Sequence, residues 1–397
     1  MLTEELIQGA KQYLMDTYAR YPLALVRGQG MKVYDVEGRE YLDCLAGIAV
    51  NVLGHGHPKV TLALQQQAHL LIHTSNLFYT EPQVKLAQAL VEQSFADKVF
   101  FCNSGAEANE AAIKLARRWA SAKDGASRYE IVSMRNSFHG RTLATLTATG
   151  QEKVQQGCAP LPEGFRYIPF NDVDALSQAV TAKTAAILLE VIQGEGGVQV
   201  TTPEFLTACR EISRERGALL MLDEVQTGIG RTGRMFAYEH FGITPDVMTL
   251  AKGLGGGVPI GACLATDEVA QAFTPGSHAS TFGGNPLVCA AALAVLDVME
   301  EEDLLAHCAS MGAYAMESLR DLKSRCPVVT DVRGLGLLIG IEVTVDAREL
   351  VHDLRKRGIL ANATSEKVLR LVPPLIVTQA EIDRVVITLG NVLEARR

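Results

Sequence analysis

Residues 219–262 read LLMLDEVQTGIGRTGRMFAYEHFGITPDVMTLAKGLGGGVPIGA. The apolar run 218–222 is short and bounded, as a buried strand is, and it delivers Asp223 and Glu224 at its end. The run 247–251 delivers Lys252, and Gly253, Gly255, Gly256 and Gly257 follow at once. Two such strands in a parallel sheet place a carboxylate and an amine at strand tips, where sites in open α/β sheets form. That arrangement suits a bound ring that needs a Schiff-base amine at one end and an anion at its ring nitrogen. Backbone surrounds Lys252 on the glycine side, and a lysine out of water becomes a nucleophilic amine. For Glu224 the plainer reading is a helix cap.

Outward from this stretch, helices and short apolar strands alternate. The pattern predicts helix 82–93, strand 98–102, helix 107–120, strands 129–133 and 185–190, helix 203–216, then strands 218–222 and 247–251. This is an α/β pattern, a largely parallel sheet with helices on both faces. After Asn285-Pro286 it changes to long helices at 287–301 and 303–325, strands 329–333 and 336–343, helix 347–357 and strand 368–371. Thr378 and Glu381 then open a last helix at capping-box spacing. A domain boundary is expected near 284, with a large domain over 49–284 and a smaller α+β domain over 285–397. Upstream, a surface helix is expected over 4–20 and a hairpin across 31–43. His55 and His57 read as part of a glycine-rich turn with Pro58 opening a helix over 59–71, not as metal ligands.

Composition narrows the class. A chain of 397 residues holds about two domains. With 48% hydrophobic and 21% charged residues it is an ordinary globular chain with ample core. A net charge of −8 argues against nucleic acid or an anionic membrane as the main partner. The eight cysteines form no C-x-x-C pair, so no metal site is expected from them. The start, MLTEELIQ, is acidic where a secretory signal is basic, so a cytoplasmic chain with reduced cysteines is expected. No uninterrupted apolar run approaches the ~20 residues of a membrane span.

Four more motifs each follow a proposed strand or loop. Asn103–Asn109 (NSGAEAN) opens a helix, so Ser104, Gly105 and Ala106 offer free N–H groups to a phosphate. Ser137–Thr142 reads SFHGRT, Glu190–Gly197 reads EVIQGEGG, and Ser280–Pro286 reads STFGGNP. Gly228-x-Gly230-x-x-Gly233 matches a dinucleotide fingerprint, but no good helix follows and no acid ends a next strand, so it is set aside.

From about Tyr21 to Pro374 these motifs, in this order, resemble the class III aminotransferases. The resemblance implies a fold-type I transferase, with a large mostly parallel domain and a smaller α+β domain that residues 1–48 join. It implies pyridoxal 5'-phosphate as cofactor and Lys252 as the lysine that carries it. Asp223 would salt-bridge the pyridine nitrogen, and Gln226 would reach the ring's 3-oxygen. Val225 and Phe138 would pack on the two ring faces. Thr281 would bind the cofactor phosphate of the neighbouring subunit, which makes a homodimer with shared sites. Ser280 would touch the substrate, and Arg141 would fork onto a substrate carboxylate. Glu195 would pair with Arg370 and release it for the second substrate. Val191 stands where the family usually has proline, which bears on turn rigidity and not on the chemistry. The SFHGRT spelling and the length favour N2-acetyl-L-ornithine as amine donor, with 2-oxoglutarate as acceptor. Ornithine, N-succinylornithine and 4-aminobutyrate are the alternative donors. A pyridoxal-phosphate protein without turnover, and a mutase or racemase of the same fold, are the alternative classes.

Overall fold

A seven-stranded sheet organises the chain. The structure, a computed structural model, describes residues 2–125 and 127–396. In spatial order the strands are Lys98–Cys102, Gly261–Ala265, Val247–Leu250, Leu219–Asp223, Thr184–Leu189, Glu130–Met134 and Phe165–Ile168. All run parallel except Gly261–Ala265, which is antiparallel to both its neighbours. Helices cover both faces, so central strands are buried throughout: every residue of Thr184–Leu189 and of Leu219–Asp223 is buried. The helix Gly105–Asp124 lies on the sheet through Ala108, Ala111, Ala112, Ala116 and Ala120, small side chains that permit close approach.

Two strands of this sheet escape sequence reading. Gly261–Ala265 (GACLA) follows the glycine cluster directly, so it reads as the end of a turn. It becomes a strand because Val247–Leu250 and Lys98–Cys102 flank it on both sides. Phe165–Ile168 is a four-residue edge strand after a loop rich in glycine and proline. The first helix is also shorter than expected, Thr3–Tyr13, and buries no residue.

The ends of the chain meet. Leu25–Gln29, Lys32–Asp35 and Glu40–Asp43 form an antiparallel meander, and Glu40–Asp43 pairs in parallel with Ile359–Leu360. A second antiparallel sheet joins Val329–Leu335, Leu338–Val343, Val368–Leu371 and Asn362–Ala363. Helix Pro286–Glu301 packs on Pro58–Leu70 and Glu81–Glu92. His55 goes to Asp43, with Nε2 2.8 Å from Oδ2, and His57 lies 3.6 Å from Glu302. Among the described residues no helix is long and apolar enough to cross a membrane.

The glycine triplet at 228–233 is a packing device. Arg231, 1% exposed, donates to the carbonyls of Leu337 (3.2 Å) and Pro373. Gly230 and Gly233 take positive φ, and a Cβ on Gly230 would overlap Met299. Glu224 caps across the chain: it accepts from the N–H groups of Ala237 (3.0 Å) and Tyr238 (2.9 Å), the start of a short 3-10 turn.

Candidate active site

At the carboxyl ends of the parallel strands lies a cavity of about 440 Å³, within the roughly 300–1,000 Å³ usual for small-molecule sites. Ser104, Gly105, Ala106, Phe138, Arg141, Glu195, Asp223, Val225, Gln226 and Lys252 all line it. These residues, from five separate stretches of sequence, thus converge on one space.

Asp223 ends its strand, and three donors converge on its carboxylate. Asn109 Nδ2 (2.7 Å) and His139 Nδ1 (2.8 Å) donate to Oδ2, and the Val225 N–H (3.0 Å) donates to Oδ1. The Asn109 amide is oriented in turn. The Thr249 hydroxyl donates to its Oδ1 at 2.8 Å, which turns Nδ2 toward Asp223 and the His139 carbonyl (2.8 Å). Thr249 sits beside Asp223 in the strand register, so one strand tip braces the next. His139 Nε2 is buried without a hydrogen-bond partner among the described residues.

Lys252 follows strand Val247–Leu250 with φ +40°, a backbone region few side chains adopt. Its Nζ makes no hydrogen bond or salt bridge to any described residue. Burial pushes the amine below its ordinary pKa and Arg370 adds to that, while Glu195 and Asp223 pull the other way. An unpaired amine in a buried cavity is poised as nucleophile and base.

The opposite wall is the start of helix Gly105–Asp124. Ser104 caps it, accepting from the Glu107 N–H at 3.2 Å. The N–H groups of Gly105 and Ala106 have no partner among the described residues, so they and the helix dipole offer a seat for an anion. Glycine is required at 105, because a Cβ there would lie 2.7 Å from Val225 Cγ1. Phe138 lines the cavity, with the Arg141 guanidinium 5.5 Å from its ring centroid and Arg141 itself exposed.

Arg370 does not line the cavity. It is fully buried behind Glu195 and Gln226. Nη1 donates to Glu195 Oε1 (2.6 Å), Gln226 Oε1 (3.1 Å) and the Gly194 carbonyl (3.0 Å), and Nε donates to Asn362 Oδ1 (3.2 Å). Its Nη2 has no hydrogen-bond partner among the described residues. Burial alone would raise the Glu195 carboxyl. Arg370 and Lys252, with hydrogen bonds from Arg370 and Gln226, outweigh that and hold it below the usual range.

Ser280 and Thr281 also stand outside the cavity. Ser280 Oγ accepts from Asn103 Nδ2 and the Gly283 N–H, both at 3.1 Å, and so ties its loop to the phosphate-binding turn. Thr281 is exposed.

Sequence reasoning assigned no role to Asn109, His139, Thr249 or Glu190. Asn109 carries the one usable signal, a polar side chain among buried alanines on one helix face. His139 is hidden inside SFHGRT, and Glu190 and Thr249 gain meaning only from which strands are neighbours. The donor set fits a phosphorylated pyridine aldehyde: a free amine for the aldehyde, a carboxylate for the ring nitrogen, unpaired amides for the phosphate.

Comparison with known proteins agrees. The chain matches the aminotransferase class-III family over residues 13–393. It is 55% identical over 393 residues to the acetylornithine aminotransferase of Caldanaerobacter subterraneus, covering 99% of this chain and 100% of that one. It is 51% identical to that of Methanocaldococcus jannaschii, covering 99% and 98%. Among solved structures it superposes on the ornithine aminotransferase of Toxoplasma gondii with TM-score 0.96 at 35% identity, covering 100% and 96% of the two chains. The acetylornithine aminotransferase of Elizabethkingia anophelis gives 0.89 at 35% identity, with both chains fully covered. The chain therefore belongs to the class III aminotransferases, folds as a fold-type I transferase, and has pyridoxal phosphate as its cofactor.

Proposed function

We propose that this enzyme moves the terminal amino group of N2-acetyl-L-ornithine to 2-oxoglutarate. The products are N-acetyl-L-glutamate 5-semialdehyde and L-glutamate, which places the reaction in arginine biosynthesis. The observation that carries this reading is the unpaired Lys252 amine sharing one cavity with the triply bonded Asp223, in a chain 46–55% identical to several acetylornithine aminotransferases.

Bound pyridoxal phosphate supplies an aldehyde to capture the amine and a ring to take up electron density from the substrate carbon. The chain does the rest. Lys252 Nζ would hold the aldehyde end of the cofactor, and as a free amine it would carry a proton as general base and acid. Asp223, held by Asn109, His139 and Val225, would keep the ring nitrogen protonated. Gly105 and Ala106 would hold the phosphate, Val225 and Phe138 would grip the ring faces, and Gln226 would reach the 3-oxygen. Arg141 takes the distant α-carboxylate of the acylated amine. Glu195 covers Arg370 during that half-reaction and uncovers it for the α-carboxylate of glutamate.

The working form is a homodimer. Thr281 is exposed outside the cavity of its own chain and serves the phosphate of its partner's cofactor, and Ser280 on the same loop touches the substrate. Beside this loop Leu77, Phe78, Tyr79 and Phe282 are exposed at 85, 67, 97 and 59%, and an apolar patch of this kind marks an interface. The pairing of Glu40–Asp43 with Ile359–Leu360 supports grouping residues 1–48 with 285–397 as a small domain beside 49–284. The enzyme is cytoplasmic.

The test is a rate comparison on acetylornithine, succinylornithine, ornithine and 4-aminobutyrate with 2-oxoglutarate. The acetylated donor gives the highest kcat/KM. A tenfold or greater preference for any other, on the order of 1.4 kcal/mol, sinks the substrate assignment.

A further inference from the structure

Three carboxylates line the cavity, and two have been given work: Asp223 and Glu195. The third, Glu190, follows strand Thr184–Leu189, whose Leu189 registers with Leu222. That register sets Glu190 beside Asp223 at the next strand tip. Glu190 is 5% exposed. Its Oε2 accepts one hydrogen bond, from the Phe138 N–H at 3.1 Å, and its other oxygen has no hydrogen-bond partner among the described residues.

Two neighbouring acids out of water do not both ionise cheaply. The negative charge is better accommodated at Asp223, which receives three donors, than at Glu190, which receives one. The charged groups facing Glu190 are Asp223, Lys252 and Glu195. Lys252 is the one cation among them, and Glu195 already has Arg370 at 2.6 Å. Burial first, and Asp223 second, push the Glu190 carboxyl well above the usual carboxylate range.

We propose that Glu190 is a positioning residue that stands uncharged in the resting site, its carbonyl oxygen anchoring the Phe138 backbone so that the ring faces the cavity. A neutral group at this position also spares Lys252 a further anion, and each anion nearby makes its amine harder to deprotonate. The role of Phe138 rests on the function proposed above. The charge state of Glu190 is measurable without it.

Infrared difference spectra of wild type and Glu190→Gln, taken on the apoenzyme and on the enzyme loaded with pyridoxal phosphate, read the carboxylic-acid carbonyl directly. At pH 7 the wild type shows a protonated-carboxyl band that the variant lacks. Glutamine keeps both the carbonyl acceptor and the neutral charge. The pH midpoint of the bound cofactor's absorbance therefore stays within roughly 0.3 unit of wild type and kcat/KM within about threefold. Glu190→Ala, which leaves the Phe138 N–H unpaired, loses on the order of tenfold or more. Absence of the band in wild type, or a midpoint shift of about a unit in the glutamine variant, overturns the proposal. A wild type that shows the band but transaminates no amine leaves Glu190 as described and refutes the function instead.

Discussion

Arg370 Nη1 lies 2.6 Å from Glu195 Oε1, and Glu195, not Arg370, faces the cavity. The guanidinium is fully buried, and Nη2 has no hydrogen-bond partner among the described residues. On the function proposed above, a buried guanidinium with Nη2 to spare would be a carboxylate site that Glu195 covers. Glu195→Gln keeps the size of the lid and weakens its hold. The half-reaction with glutamate gains relative to that with acetylornithine, and the ratio of the two single-turnover rates moves by roughly tenfold. An unchanged ratio means that Glu195 does not gate Arg370.

The amine of Lys252 sets the pH response. Burial places its pKa below the ordinary lysine value, and a neighbouring carboxylate raises it again. The base works deprotonated, so activity climbs with pH through a midpoint under ~10.4. Glu195→Gln removes one of the carboxylates and leaves Arg370 uncompensated. Both changes disfavour the ammonium, so the midpoint falls further. Acylation of Lys252 in the apoenzyme as a function of pH checks this, and a rise in the midpoint contradicts it.

Asn109→Ala strips one donor from Asp223 and leaves the Thr249 hydroxyl and the His139 carbonyl without their partner. Each buried orphan costs about 1–3 kcal/mol. The variant binds pyridoxal phosphate at least tenfold more weakly, read by equilibrium dialysis, and its Tm falls. Asn109→Asp fails as well, because it sets a second carboxylate against Asp223.

Gly105→Ala tests the fit of the phosphate seat. The added methyl meets Val225 Cγ1 at 2.7 Å, so Val225 must leave the ring face or the helix start must shift. Overpacking of this kind costs about 1–3 kcal/mol. Cofactor affinity drops accordingly, and Val225→Ala in the same chain restores part of it.

Thr281 tests the shared site. Lys252→Ala and Thr281→Ala are each poor enzymes alone. Mixed and allowed to exchange subunits, they regain activity, because one site then holds an intact lysine and the partner's intact threonine. If mixing restores nothing while exchange is shown by mass spectrometry, Thr281 acts within its own chain.

The sequence by itself determined the alternation of helix and strand, the three-layer α/β class, and the residues with chemistry to offer. Local signals suffice for these. An apolar run before Asp223 or before Lys252 is a buried strand wherever it lies, and Ser104-Gly105-Ala106 after a strand is a helix start. Order across the sheet is not a local property. It arises when whole strands choose neighbours so as to bury apolar faces, and only that choice put Gly261–Ala265 between Val247–Leu250 and Lys98–Cys102. The same choice brought Thr249 and Glu190 to either side of Asp223, turned Asn109 and His139 onto its carboxylate, and left the Lys252 amine with none of them as a partner.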